Sequence, residues 1–200
     1  MPATLYDLEP SGNCYKVRLM ASLLDVPLEI VPVDFLGGAH KSPDFLRLNP
    51  FGELPVLEED GLVLRDSQAI LVYLARRHGG EAWLPSDARG EAVVAQWLST
   101  AANEVARGPN DARLHDKFGY ALDAARARAS AERLLGIMDA HLAGRDWLEL
   151  GRPTIADVAC YPYLAVAHEG GVEVGTHAHV ARWMGGVRAL PGYVGMSGQR

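Results

Sequence analysis

The sequence predicts a small α/β unit followed by an all-helical bundle. Three observations carry that reading. Up to Gly80 the chain alternates strand-like and helix-like segments. From Asp87 onward every periodic segment is helical. The chain also has 200 residues, 48% apolar and 22% charged, which is ordinary globular composition and enough for one large domain or two small ones.

The elements follow in order. Thr4–Leu8 is a short apolar run that ends at Glu9-Pro10, as a strand leaving a sheet would. Ser11-Gly12-Asn13 is turn and cap chemistry. Val17, Met20, Ala21 and Leu24 then recur at helical spacing, and Pro27 closes that helix. Leu28–Val33 reads as a second strand. A Gly-Gly loop with His40-Lys41 leads to a short stretch, Pro43–Leu48, and Asn49-Pro50-Phe51-Gly52 is a turn. Pro55–Glu58 and Leu62–Arg65 flank Glu59-Asp60-Gly61, a hairpin signal. Ser67 is expected to cap a helix that carries Ile70, Leu71 and Leu74 and ends at Gly79-Gly80.

After a link at 81–86, Asp87 is expected to cap a helix bearing Val93, Val94, Trp97 and Leu98, with Gly108-Pro109 as its end. Asp111–Leu142 reads as one alanine-rich helix, Thr154–Ala167 as another and His177–Val187 as the last. The expected domains are thus 1–80 and 87–200.

Composition excludes several classes of function. A net charge of −6, with no basic stripe, argues against nucleic acid as a partner. No apolar run approaches the ~18 residues of a membrane span. Asp7 and Glu9 stand where a secretory signal would be basic. With two cysteines the chain is not a disulfide scaffold. The expectation is a cytoplasmic protein with reduced thiols. The seven histidines form no ligand set, and no metal is expected: His177 and His179 would not face each other on a helix, and there is no HExxH or paired Cys-x-x-Cys.

Four segments carry candidate chemistry. Ser11-Gly12-Asn13-Cys14 opens a helix directly after a strand. Free N–H groups and the helix dipole favour an anion there, and a serine hydroxyl could donate to a thiolate or oxyanion. The plainer reading is that Ser11 or Asn13 caps the helix. Cys14, in the first turn, is either a low-pKa thiol or a packed one. Leu54-Pro55-Val56 begins the hairpin, where proline must sit at a strand start or edge. A cis bond there would leave the Leu54 backbone free to pair with an extended peptide. Asp66-Ser67 opens a second helix. It offers a second carboxylate site with an acidic neighbour for an ammonium group, a combination suited to a zwitterionic amino acid. Thr154-Ile155-Ala156-Asp157 is a capping box with Asp in place of Glu. Pro162, well inside the helix that follows, requires a packing reason to outweigh its cost of ~3 kcal/mol.

Taken together, in this order and over nearly the whole chain, these segments resemble the cytosolic glutathione transferases, in their bacterial form with a serine-type active-site turn. The residues that carry the resemblance are Ser11 to Arg18, Asn49 to Leu57, Asp66 to Leu74, and Thr154 to Asp157. The resemblance implies a thioredoxin-like N-terminal domain, an all-helical C-terminal domain and a homodimer. It implies glutathione as co-substrate, a small hydrophobic electrophile as the second substrate, and a role in detoxification.

Site residues follow by position. Ser11 stands where serine-type members keep the hydroxyl that activates glutathione, with Asn13 and Cys14 beside it as alternative activating groups. Tyr6, at the end of the first strand, is ranked below them. Leu54, before the family's cis-proline at Pro55, would pair with the cysteinyl backbone of glutathione. Asp66 and Ser67 match the pair that holds the γ-glutamyl end. His40 and Lys41 stand near the glycine carboxylate. Glu53 departs from the family's usual glutamine or lysine and would repel that carboxylate unless it points away. For the electrophile, Glu9 and Pro10 on one side and Asn103, Arg107 and Phe118 on the other are candidates. Two alternatives remain on the same fold: a glutathione-dependent thiol-disulfide reductase or isomerase using Cys14, and a non-catalytic interaction protein, which Glu53 keeps open.

Overall fold

The computed structural model describes residues 2–199. Four strands, β1 (Ala3–Asp7), β2 (Leu28–Pro32), β3 (Val56–Glu59) and β4 (Leu62–Arg65), form one sheet in the order β2-β1-β3-β4. β1 and β2 run parallel, whereas β3 is antiparallel to both β1 and β4. β1 alternates in burial as one covered face requires: Ala3 and Leu5 are buried on one side, and Tyr6 meets Phe45 edge-on from the other.

Three helices belong to this sheet: α1 (Gly12–Leu23), α2 (Pro43–Leu48) and α3 (Ser67–Leu74). The stretch 43–48 is thus a helix, started by Ser42, which accepts from the Phe45 N–H, with Pro43 in its first turn. Asp66, not Ser67, caps α3. Its carboxylate accepts from the Gln68 and Ala69 N–H groups at 2.9 and 3.0 Å, and Ser67 is the first helical residue. Asp66 holds the cap at a φ of 73°, outside the β region usual for a cap residue, because its carboxylate reaches N–H groups left free at the helix start.

The remaining chain is helical: α4 (Ala88–Thr100), α5 (Asp111–Phe118), α6 (Ala124–Leu142), α7 (Ile155–Ala165) and α8 (Ala178–Arg188). Asp87 caps α4 as expected. Gly108-Pro109 does not end that helix. From Ala101 to Asn110 the backbone widens into π-helical turns and runs on into α5, with Pro109 inside. The wider turn absorbs a proline that an α-helix would not. Gly108 is there for another reason: a Cβ on it would lie 2.9 Å from the Ala131 backbone nitrogen of α6. The true break comes later. Gly119 at φ 72° stops α5, and Asp123 caps α6, so Asp111–Leu142 is two helices. The expected 154–167 helix ends at Ala165, and after a turn at Val166 a short 3₁₀ helix, Ala167–Gly170, follows.

α7 is the centre of the molecule. Every residue from Ile155 to Ala165 is buried, Pro162 included. α1 and α3 pack on each other and on α7, while α4 and α8 pack on it from the helical side. Its capping box is fully formed. Asp157 accepts from the Thr154 N–H (2.8 Å), the Leu148 N–H (3.0 Å) and the Trp183 indole N–H (2.8 Å). Burial nevertheless raises the Asp157 carboxyl, with those donors opposing the shift. No helix among the described residues is long and apolar enough to cross a membrane.

Candidate functional site: where two helix starts converge

β1, an inner strand, delivers the chain to a turn at Leu8–Ser11 at one end of the sheet. There the Ser11 N–H donates to the Leu8 carbonyl. Ser11 is the N-cap of α1, and its Oγ accepts from the Cys14 N–H at 3.3 Å. A hydroxyl that accepts from its own helix keeps its proton to donate elsewhere, and here the Tyr163 hydroxyl and the Cys14 thiol also border it. The partly exposed Ser11 therefore presents an O–H donor at the positive end of a helix.

The N-terminus of α3 meets that of α1 at the same place. Asn13 links them: its Oδ1 accepts from the Ser67 hydroxyl at 3.3 Å and from the Lys16 ammonium at 2.9 Å. Ser67 also donates to the Gln68 amide oxygen. Asp66 holds its positive φ beside them. Of the residues expected from the sequence, Ser11, Asn13, Cys14, Asp66 and Ser67 are thus brought together.

Leu54-Pro55 stands on the same end of the sheet. The peptide bond is cis, and Pro55 immediately precedes the first rung of the β1–β3 ladder, Tyr6 opposite Val56. His40 and Lys41 form a corner of their own. The His40 ring stacks on Phe35 with centroids 3.9 Å apart, and the Lys41 ammonium donates to the Phe51 carbonyl at 2.9 Å. The buried His40 Nδ1 has no protein partner among the described residues. Gly52 fits this corner at φ 59°, where a Cβ would lie 2.7 Å from the His40 carbonyl. Glu53 is exposed, and its main-chain carbonyl accepts from the Asn49 amide at 2.8 Å.

Cys14 takes the plainer of its two readings. It is fully buried, its Sγ accepts from the Leu8 N–H at 3.4 Å, and burial next to Asp7 pushes its thiol up to about 12. A thiol in that state is protonated and screened from solvent. Tyr6 points elsewhere. Its hydroxyl donates to Glu58 at 3.4 Å, and burial with that carboxylate raises its pKa.

Three supporting residues were not singled out from the sequence. Tyr163 of α7 lays its ring on Gly12 so closely that a Cβ there would sit 2.5 Å away, and its hydroxyl accepts from the Asn13 N–H at 3.2 Å. Arg113 of α5, buried, donates to the Pro10 carbonyl at 2.9 Å and pairs with Glu169 at 2.5 Å. Lys16 is wholly buried under Asn13 and Gln68. Only Lys16 carried a signal: it stands one helical turn after Asn13 and so shares its face.

The expected electrophile-side residues do not form one group. Phe118 packs its ring against the Arg113 guanidinium, 5.0 Å from the centroid, and through Arg113 belongs with Pro10. Asn103 and Arg107 instead line a separate cavity of about 410 Å³ with Asp111, Asp123 and Arg126. Among the described residues no three His, Cys, Asp or Glu side chains cluster as metal ligands.

A thioredoxin-like sheet unit joined to an all-helical one, with two helix starts converging beside a cis-proline, defines the class of protein. Comparison with known proteins makes the assignment specific. The family description "Glutathione S-transferase, N-terminal domain" matches residues 1–76, and "Glutathione S-transferase, C-terminal domain" matches residues 114–191. Glutathione S-transferase 2 of Anopheles gambiae is 32% identical over 89% of this chain and 86% of its own. A crystal structure of a glutathione S-transferase from Pseudomonas fluorescens superposes with a TM-score of 0.92 at 33% identity, covering 98% of this chain and 100% of that one. A disulfide-bond oxidoreductase of Escherichia coli is 26% identical over 91% of this chain and 88% of its own. The chain belongs to the glutathione S-transferase family.

Proposed function

We propose that this enzyme conjugates glutathione to small hydrophobic electrophiles, with the Ser11 hydroxyl as the group that stabilises the glutathione thiolate. The observation that carries this reading is the partly exposed Ser11 hydroxyl at the start of α1, next to the junction of α1 with α3. Residues 1–80 act as the glutathione-binding domain and 87–200 complete the electrophile side. Asp66 and Ser67 take the γ-glutamyl end, and the Leu54 backbone pairs with the cysteinyl residue. His40 and Lys41 serve the glycine end, with Glu53 directed to solvent.

The energetics suffice. Lowering a thiol pKa by ~2 units takes ~2.7 kcal/mol. One hydrogen bond to an anion supplies ~1.5–3 kcal/mol, and a helix N-terminus ~0.3–1 kcal/mol. The thiol proton leaves to solvent, the thiolate sulfur forms a bond to the electrophilic carbon, and the leaving group departs with its electron pair. Holding the two reactants together supplies much of the rest. Ser11→Ala should move the apparent pKa of kcat/KM upward by about 1–2 units, the size of one hydrogen bond to an anion. An unchanged pH–rate profile removes Ser11 from the mechanism.

The thiol-disulfide reading requires Cys14 as a nucleophile, and its burial counts against that. The oxidoreductase relative makes it worth testing. Incubation with oxidised glutathione followed by mass spectrometry should leave Cys14 unmodified, and an adduct there would favour reductase chemistry. A homodimer in the cytoplasm is the working assembly in this reading. The exposed Phe51, held against Arg65 at 4.2 Å, and the exposed Leu62 and Val63 nearby are side chains a partner copy would cover. Light scattering giving a mass of one chain would overturn the dimer.

A further inference from the structure

Lys16 is an exception to how charges are handled in this molecule. It is one of three lysines, and Lys41 and Lys117 are exposed. Its side chain is completely buried. It makes no ion pair among the described residues. Its ammonium touches only neutral groups: the Asn13 Oδ1 at 2.9 Å, the Gln68 Oε1 at 3.5 Å and, at 5.6 Å, the ring of Tyr163. Buried cations are ordinarily paired, because an isolated one is strongly disfavoured by desolvation. The groups that face it are few. Asp66 at the start of α3 and Cys160 and Tyr163 on α7 lie around it, with Glu104 beyond Cys160. Cys160 is itself buried and its thiol is pushed up to about 12, so it supplies no negative charge near neutral pH.

What the ammonium does touch is the link between the two helix starts. Asn13 and Gln68 are also the two acceptors of the Ser67 hydroxyl. A positive charge therefore sits directly behind the pair of residues that would receive the γ-glutamyl end of glutathione. An anion at that site would lie within Coulombic reach of an ammonium that acts across Asn13, Ser67 and Gln68 and that Asp66 influences without forming an ion pair with it. Low dielectric makes this long reach effective.

We propose that Lys16 is a positioning residue whose missing counter-ion is the α-carboxylate of the ligand's γ-glutamyl end, attracted by the field of the buried ammonium across Asn13, Ser67 and Gln68. This rests on the glutathione reading above. Burial lowers the free ammonium to about 8, so near neutral pH it is mostly charged and available, and it is lost on alkaline titration. A ligand carboxylate would oppose that loss.

The test is a thermodynamic cycle with two probes, S-methylglutathione and its γ-glutamyl α-carboxamide analogue, titrated by calorimetry at pH 7. In the unsubstituted protein the carboxylate probe should bind at one site. Lys16→Met should weaken it about tenfold or more while changing the carboxamide by less than about twofold, the pattern of a charge-assisted contact. Equal losses for both probes, or no loss for either, overturn the proposal and leave Lys16 a packing residue. No binding of S-methylglutathione by the unsubstituted protein overturns the glutathione reading and this proposal with it.

A second measurement needs no variant. With ¹³C-labelled lysines, the Cε signal of Lys16 should titrate below those of the two exposed lysines. It should move up by about one pH unit when S-methylglutathione binds, since a tenfold coupling is reciprocal. A titration that ignores the ligand overturns the proposal even if Lys16→Met fails to fold.

Discussion

The two hydroxyl- and thiol-bearing residues of the first turn, Ser11 and Cys14, lie one helical turn apart and are opposites in environment. Ser11 is partly exposed and accepts from Cys14's own N–H, while Cys14 is fully buried with its Sγ on the Leu8 N–H. The buried thiol has a consequence for stability. Its folded pKa, about 12, lies above the ~8.5 of an unfolded cysteine, so its contribution is whole below ~pH 8.5 and is lost as pH rises toward 12. Lys16 runs the other way, because its folded value of about 8 lies below that of an exposed lysine and the penalty is relieved as pH rises. Comparing the unsubstituted protein with Cys14→Ala isolates the thiol. Denaturant unfolding under reducing conditions should show a shallower alkaline fall in stability for the variant between pH 9 and 11. Parallel curves would mean the thiol is not as insulated as its burial implies.

The helices on either side of Asn110 show packing overriding local signals. Gly-Pro is an ordinary helix stop, yet the chain from Ala88 to Phe118 stays helical because its turns widen around Pro109 and its buried side meets α6. Gly108 is the point of closest approach. Gly108→Val should cost about 1–3 kcal/mol, the range for overpacking a well-filled interior, since even a Cβ would press on the Ala131 backbone. In a free helix the same change would be favourable, so a stabilised variant in thermal melts would refute the contact. The capping box of α7 behaves differently, because three separate segments use it. Asp157→Ala would strand the buried Leu148 and Trp183 N–H groups. At ~1–3 kcal/mol for each orphaned donor, chemical denaturation should register a loss of about 3 kcal/mol or more, far beyond an ordinary cap.

Across the whole molecule, the site turn is gripped from the helical side. Tyr163 covers Gly12 and holds the Asn13 N–H, and Arg113 holds the Pro10 carbonyl. Arg113 is the more consequential because it is also one arm of a buried pair. Arg113 and Lys117 together outweigh burial and hold the Glu169 carboxyl below its usual range. Arg113→Ala should therefore cost about 3 kcal/mol, the lower end for breaking a buried pair, and also lower kcat/KM through a loosened Pro10–Ser11 turn. Tyr163→Phe, which removes one hydroxyl and keeps the ring, should leave stability within about 1 kcal/mol while weakening turnover. If both variants melt normally and turn over normally, the helical side does not position Ser11.

The order of strands and helices, the change to pure helix after residue 86, the caps at Ser11 and Asp87 and the box at Thr154–Asp157 were determined by the sequence itself. They are local: periodicity, turn chemistry and cap residues act within a few positions of one another. Motif spacing likewise determined which residues of the first turn and of the Asp66-Ser67 step to consider. The tertiary structure decided everything that depends on separation in the chain. It chose Asp66 over Ser67 as a cap at an unusual φ, carried a helix through Gly108-Pro109, and separated Asn103 and Arg107 from Phe118. It buried Cys14 while leaving Ser11 partly exposed, and it set Lys16 behind Asn13 and Gln68 without an ion pair. Those outcomes follow from packing and desolvation, which are settled by what the folded chain places within a few ångströms of a group and not by its neighbours in sequence.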